Sequence, residues 1–514
     1  MLPLRELRTL DMTMPDGVRL KGDLYQPVEG RHPVLVMRQP YGRKIGSTVV
    51  LAHPAWYAAQ GYMVLVQDVR GRGESEGRFR VLEDDAQDGA ATLALARDLD
   101  GADGKVATYG FSYHGINQYM ALAGGARPDA MAIVMAAFDV RDHWAYEGGA
   151  FRLQLGQLWA RQMAVEAARR AGHSSHAERL ATDPTMLPDA AYTHYFDWLA
   201  DDPAYWARVS PARRLPRPPP DAPVLHIGGW HDIMLAGTLA GHRAFPRSRL
   251  IVGPHAHLPW GRRLGALDGG DAAAVGFDCE IVAFFDHQLK GRADRLPAVR
   301  LYDAGLRDWR DFASWPQTSE ETLHLASSGR AAASTQDGVL VHDPAPFTDY
   351  LVQDPWRPSP CVGGALGAPG LYADRAGVDD RADVLTYTSA PLAQALTLTG
   401  SPRARLAVTS DRPSFDLHLI LSWVTPEGGA IHIGDAHCTA SGPCEIELGA
   451  CCHTFPPGAR LRLSIQAAAF PAFAVNPGTG QRALDAGPLD ALVTTLTLTA
   501  PSSLTLPVLE GSLL

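Results

Sequence analysis

The chain has 514 residues, 46% hydrophobic and 20% charged, a mixture that excludes extended disorder and a length that exceeds what one core usually fills, so two or three domains are expected. The formal net charge is -10, and lysines and arginines are scattered rather than clustered, so no nucleic-acid partner is expected. Met1 to Leu20 lacks the zones of a secretory signal, and the most apolar stretch, Met131 to Phe138, is far shorter than the ~20 residues that cross a bilayer; no membrane association is expected, and that stretch reads as a buried strand.

From the N-terminus, Val18 to Tyr25 alternates apolar and polar residues after an Asp16-Gly17 pair, the pattern of a hairpin. Continuous apolar runs follow at Val34 to Met37, Met63 to Val66, Val106 to Tyr109, Ile133 to Met135, Val224 to Ile227 and Leu250 to Val252. Runs without alternation mark strands buried on both faces, as in a parallel sheet. Helix-like stretches between them, such as Asp88 to Arg97 and Ile116 to Ala123, give the alternation of an α/β domain.

Helix formers with spaced apolar positions predict a helix over Phe151 to Arg170. That region runs to about Ser210 and closes with the stiff connector Pro216-Arg217-Pro218-Pro219-Pro220, so a helical insertion is expected between the sixth and seventh strands. Beyond Trp315-Pro316, short alternating segments at Ala395 to Thr399, Arg405 to Thr409, Leu461 to Ile465 and Thr495 to Thr499 recur between Gly and Pro turns, which predicts an antiparallel β-sandwich. Five of the six cysteines fall in this C-terminal third and make no dense disulfide framework, favouring a reduced, cytoplasmic protein. Cys438, Cys444, Cys451, Cys452 and His453 match no common zinc spacing and are expected to be buried thiols and an ordinary histidine, so no metal is implied.

The chemistry centres on Val106 to Gly115, where a buried strand leads into Gly110-Phe111-Ser112-Tyr113-His114-Gly115 and then a helix. This is the layout of a nucleophile elbow, although glycine stands three places after the serine rather than two. The backbone N–H of Tyr113 is then placed to face an oxyanion. A serine nucleophile needs a base and the base needs a carboxylate, and both follow later strands in the expected order. Gly228-Gly229-Trp230-His231-Asp232 supplies the acid, and Gly253-Pro254-His255-Ala256-His257 the base; on position alone His231, His255 and His257 remain rivals.

Further stretches carry a resemblance: Arg38-Gln39-Pro40-Tyr41, Gln67-Asp68-Val69-Arg70-Gly71-Arg72-Gly73 with Ser75-Glu76-Gly77, Phe284-Phe285-Asp286-His287, and Phe470-Pro471 through Asn476-Pro477-Gly478-Thr479-Gly480. With the elbow and the two loops above, the chain resembles, over nearly its whole length, the X-Pro dipeptidyl-peptidase-like hydrolases, the family of cocaine esterase and the α-amino acid ester hydrolases. The resemblance implies Ser112 as nucleophile, Asp232 as acid and His257 as base, and it assigns the Tyr41 hydroxyl to the oxyanion hole beside the Tyr113 N–H. Asp68 and Arg70 are read as loop ties. Trp144, Tyr146, Trp159, Trp230 and His114 are candidates for the substrate pocket, with Trp198 and Trp206 either joining it or filling the core of the insertion.

The expected architecture is an α/β-hydrolase domain over 1–142 and 215–315, a helical cap over 143–214, and a jelly-roll-like β-sandwich over 316–514. The expected reaction is hydrolysis of a small-molecule ester or amide through an acyl-enzyme on Ser112, without metal or organic cofactor. One alternative is an X-Pro dipeptidyl aminopeptidase, which needs carboxylates for the substrate ammonium, with Glu147, Asp197, Asp201 and Asp202 available. Another is a catalytically inactive carbohydrate-binding protein. The sequence leaves the acyl group, the leaving group and the formation of a homo-oligomer open.

Overall fold

The computed structural model describes residues 1–45, 49–172, 193–274, 276–487 and 489–509. The N-terminal hairpin consists of β1 (Arg8–Thr13) and β2 (Arg19–Tyr25), followed by β3 (His32–Gln39), α1 (Pro54–Ala59), β4 (Met63–Asp68), α2 (Asp85–Arg97), β5 (Ala102–Phe111), α3 (Tyr113–Ala123) and β6 (Ala130–Val134). After a two-residue hairpin, β7 (Tyr146–Glu147) and β8 (Ala150–Phe151), comes the long helix α4 (Leu153–Arg170), and the sheet resumes with β9 (Val224–His231) and β10 (Ser248–Ala256). A second small hairpin, β11 (Arg263–Leu264) and β12 (Leu267–Asp268), precedes β13 (Val299–Asp303) and β14 (Asp308–Phe312).

Ten of these strands form one sheet in the order β1-β2-β4-β3-β5-β6-β9-β10-β13-β14. Neighbours from β4 across to β13 run parallel, and β1, β2 and β14 add antiparallel edges. Every residue of β4, β6 and β9 is buried, the physical reason their sequences carry no alternation. The order reverses around β3, which sits between β4 and β5, and in such sheets the crevice at the carboxyl ends of the strands takes the ligand. The stretch Met131 to Phe138 is not a single strand as expected. It leaves the sheet after Val134, because Met135 turns into the left-handed region at φ 47°.

Between β6 and β9 lie α4 and the short helices Thr193–Ala200, Pro203–Val209 and Pro211–Arg214. Aromatic packing joins them: the Trp144 ring lies 4.5 Å from Trp159 and 5.0 Å from Trp198. The C-terminal part is a twelve-stranded sheet folded on itself as a near-barrel sandwich around Leu, Ile and Val side chains. Its last strand, Thr494–Leu509, alternates buried and half-buried residues along most of its length; it pairs with Thr348–Gln353, with Arg403–Ser410 and, further along, with Thr318–Ala326. The sandwich is tied to the first sheet where Thr454 donates to Asp303 through its backbone N–H (2.9 Å) and its hydroxyl (2.6 Å). Among the described residues, no helix is long and apolar enough to cross a membrane.

Candidate active site

β5 ends at Phe111, and Ser112 follows with φ 61° and ψ -122°, a conformation that costs energy in a residue with a Cβ. The turn leaves no room for side chains at two flanking positions. A Cβ on Gly110 would lie 2.3 Å from the Cβ of His114, and one on Gly115 would lie 2.6 Å from the Cβ of Ala136. The displaced glycine of the elbow is thereby explained: position 114 faces Gly110 across the turn, and position 115 brings α3 against the chain leaving β6.

The elbow is held from behind by a buried network. The Tyr113 hydroxyl donates to Asp85 Oδ2 at 2.6 Å and accepts from the Leu82 N–H at 3.1 Å, while Arg38 donates to Asp85 Oδ1 at 2.9 Å. The Tyr113 side chain is therefore committed away from the site. Its backbone N–H opens α3, where a helix has no internal acceptor for it.

Asp232 and His257 follow the parallel neighbours β9 and β10, whose ends are in register at His231 and Ala256. His257 Nε2 lies 2.9 Å from Ser112 Oγ, and His257 Nδ1 lies 2.6 Å from Asp232 Oδ1. The Asp232 side chain is fully buried, and among the described residues its Oδ2 has no hydrogen-bond partner, so the carboxylate serves a single ring. Phe111 packs on the imidazole at 4.4 Å between ring centres.

The rival histidines point elsewhere. His255 Nε2 meets the Ala273 carbonyl at 2.9 Å, and its ring stacks on Trp260. His231 is turned toward Tyr372, 4.2 Å away between ring centres, and burial pushes its pKa down to about 3.

Tyr41 follows β3 and opens into the same cavity, of about 560 Å³, as Ser112 and His257. Its hydroxyl oxygen accepts a hydrogen bond from Trp159 Nε1 at 3.1 Å, and burial pushes its pKa up to about 12, which keeps the proton in place as a donor. The loop carrying it is anchored by Arg43, which donates to the buried Asp68 at 2.6 Å, and by Arg72, which donates to the Pro40 carbonyl at 2.8 Å. Arg70 bridges Asp88 and Asp16, each at 2.7 Å.

Comparison with known proteins assigns the lineage. The X-Pro dipeptidyl-peptidase (S15 family) profile matches residues 16–259, and the X-Pro dipeptidyl-peptidase C-terminal non-catalytic domain matches 291–505. The chain is 30% identical to the cocaine esterase of Rhodococcus sp. (strain MB1 Bresler) over 526 residues, covering 91% of each protein. It belongs to the S15 family of hydrolases. Among solved structures it is similar to an α-amino acid ester hydrolase, with a TM-score of 0.81 at 23% identity over 98% of this chain and 96% of that one. It is also similar to an aminopeptidase from a marine-sediment Thaumarchaeota archaeon, with a TM-score of 0.82 at 21% identity over 99% and 97%. At these identities the likeness speaks for the fold, an α/β-hydrolase with a C-terminal β domain, and not for the substrate.

Seen as the pocket of an S15-family hydrolase, the cavity takes in Trp144, Trp159 and His114 from the sequence candidates but not Tyr146 or Trp230. The Tyr146 hydroxyl donates to the Trp198 carbonyl at 2.6 Å within the helical layer, and Trp230 Nε1 donates to the Tyr302 carbonyl at 2.7 Å. Each buried polar tip found a backbone partner away from the cavity, and the ring followed it. Trp198 and Trp206 are wholly buried and fill the core of the helical layer.

Sequence reasoning missed Phe111, Leu155, Leu158, Ile233, Met234 and Leu258, which belong to the apolar wall. The helical spacing of Leu155, Leu158, Trp159, Gln162 and Val165 on α4 was a usable signal.

Glu166 is the single carboxylate on the wall among the described residues, and both its oxygens are engaged by Arg169, Nε meeting Oε2 at 2.9 Å. Glu147 is bound by Arg152, Asp201 by Arg141 and Trp206, and Asp202 caps the Ala204 N–H; none of these, nor Asp197, lines the cavity. In the sandwich, Cys451 lies in the central core while its neighbour Cys452 faces the first sheet, since successive strand residues point to opposite faces. Among the described residues, no cluster of three or more histidine, cysteine or acidic side chains is placed to hold a metal.

Proposed function

We propose that the protein hydrolyses an ester or amide acyl bond of a small molecule through an acyl-enzyme on Ser112. Ser112 Oγ attacks the carbonyl carbon while His257 Nε2 takes its proton, and Asp232 fixes the ring and stabilises the imidazolium. The Tyr41 hydroxyl and the Tyr113 N–H donate to the oxyanion. The leaving group departs with the proton from His257; a water, deprotonated by the same nitrogen, then attacks the acyl carbon and releases the acid. Residues 143–214 act as the cap of a hydrolase domain over 1–142 and 215–315, with 316–514 as the sandwich.

The observation that carries this reading is the relay itself, with 2.6 Å from Asp232 to His257 and 2.9 Å on to Ser112, opening into a mainly apolar cavity. The same cavity favours an esterase or amidase over an X-Pro peptidase, because among the described residues its one carboxylate, Glu166, is already paired with Arg169 rather than free to bind a substrate ammonium. Turnover of p-nitrophenyl acyl esters is measured beside that of an Ala-Pro anilide, with fluorophosphonate labelling of Ser112. Preference for the anilide would replace the esterase reading with the peptidase, and failure of both turnover and labelling would end the hydrolase assignment.

A further inference from the structure

Exposed aliphatic side chains scattered singly are ordinary, but a convergence of them on one site is not. Ile45, Val49, Leu158 and Leu258 are 60%, 52%, 59% and 51% exposed, and all four line the mouth of the cavity that holds Ser112. They come from three separate parts of the chain: the loop after β3, helix α4, and the loop after β10. The same wall includes Leu155, Trp159, Ile233, Met234 and Phe111, so the lining between the serine and the mouth is mainly apolar. Two charged side chains, Glu166 and Arg161, also line it. Glu166 is tied to Arg169, and Arg161, which has no ion pair among the described residues, carries three methylenes beneath its guanidinium.

A short acyl group on a short alcohol would fill little of a cavity of about 560 Å³ and would touch none of the mouth. We infer that the substrate is an ester or amide with an extended apolar chain, running from the reacting carbonyl out across Leu158 and Leu258. This inference rests on the hydrolase reading above and adds the substrate class to it. The chain belongs either to the acyl group or to the alcohol; the surface recognises the same chemistry in both.

The test has two arms, run below the aggregation concentration of each ester. One is a p-nitrophenyl series from acetyl through butanoyl, hexanoyl and octanoyl to decanoyl; the other is the matching series of alkyl acetates. Full burial of a methylene is worth about fourfold in a binding equilibrium, and partial cover at an open mouth about twofold. One arm is therefore expected to rise by about two- to fourfold in kcat/KM per added CH2, out to the octanoyl or octyl member. The arm that rises identifies the side of the bond carrying the chain.

The pair Leu158→Ser and Leu258→Ser should flatten that slope, with fluorophosphonate labelling of Ser112 as the check that the variant is folded. A kcat/KM that falls with length beyond butanoyl in one arm and butyl in the other overturns the inference and leaves the hydrolase reading standing. A slope that survives in the labelled double variant overturns it too. Loss of labelling and of all turnover in the unaltered protein would instead strike the hydrolase reading itself.

Discussion

Tyr41→Phe removes one oxygen from the site and keeps the ring that packs there. That oxygen has two functions in the structure. It accepts the Trp159 Nε1–H at 3.1 Å, and because an indole nitrogen only donates, the single phenolic hydrogen is left to point elsewhere, toward the cavity shared with Ser112. A donor aimed at the developing oxyanion is worth about 10²–10³ in kcat, or about 2.7–4 kcal/mol, and KM should change far less because the contact strengthens only as charge forms.

The same substitution strands the Nε1–H of Trp159, a residue only 6% exposed. That costs about 1–3 kcal/mol of stability, which for a chain of 514 residues lowers Tm by roughly 1–3 °C. Trp159→Phe supplies the complementary arm. It removes the indole donor and should slow catalysis in the wild-type background, yet add little further loss of kcat in Tyr41→Phe, because its effect passes through the hydroxyl. The assay is pre-steady-state and steady-state hydrolysis of the best p-nitrophenyl ester, separating acylation from release, with thermal melts alongside. A Tyr41→Phe acylation rate within about twofold of wild type would refute the oxyanion role, and additive losses in the double variant would refute the link to Trp159.

Ser112→Ala should abolish fluorophosphonate labelling and cut turnover by at least about 10³-fold with an unchanged melting curve; a label found on another serine would displace the elbow assignment. His257→Ala should be as damaging, whereas His255→Ala, whose ring bonds the Ala273 carbonyl, should keep most activity; the reverse pattern would exchange their roles. Gly110→Ala should fail to give folded protein, since its Cβ would lie 2.3 Å from the Cβ of His114 at a φ of 156°; soluble, active variant would disprove the packing argument. Burial holds His114, His231 and His418 at about 3 in the folded chain, against about 6.5 when unfolded. The unfolded chain thus takes up protons first, so stability present above pH 6.5 is lost as pH falls toward 3, by about 2 kcal/mol per histidine between pH 7 and 5. Denaturant midpoints that stay level over that interval would contradict the buried, neutral state of these rings.

The parallel strands were legible because a strand covered on both faces has no reason to alternate, and the apolar runs of β3, β4, β5, β9 and β10 are covered in that way. What the pattern could not reveal was where such a run stops being a strand. Met131 to Phe138 is uniformly apolar, and only the backbone at Met135 ends the strand inside it. The pocket residues were harder for a related reason. Trp230 and Tyr146 lie near the site in sequence, but their polar tips are satisfied by carbonyls outside the cavity, and nothing in a linear pattern says which carbonyl a buried ring will reach.

The choice among the histidines shows the same limit at the level of one residue. The loops bearing Asp232 and His257 could be read as strand ends, which brings both residues to the crevice where chemistry occurs. Yet β10 carries a bulge against β9: Gly253 pairs with Gly229 and Ala256 with His231, so three steps on one strand oppose two on the other. An extra residue of this kind bends the strand and re-aims the side chains beyond it. The irregularity spans Pro254 and His255, so His255, which bonds the Ala273 carbonyl, sits within it, and His257, which bonds Ser112 and Asp232, lies just beyond it. Spacing alone left the two histidines equal because a bulge has no sequence signature, and the resemblance to a family separated them where counting did not. Tyr41 depends on the resemblance more heavily still, since its contact with Trp159 spans 118 positions of the chain and joins the loop after β3 to α4, a proximity that no local pattern encodes.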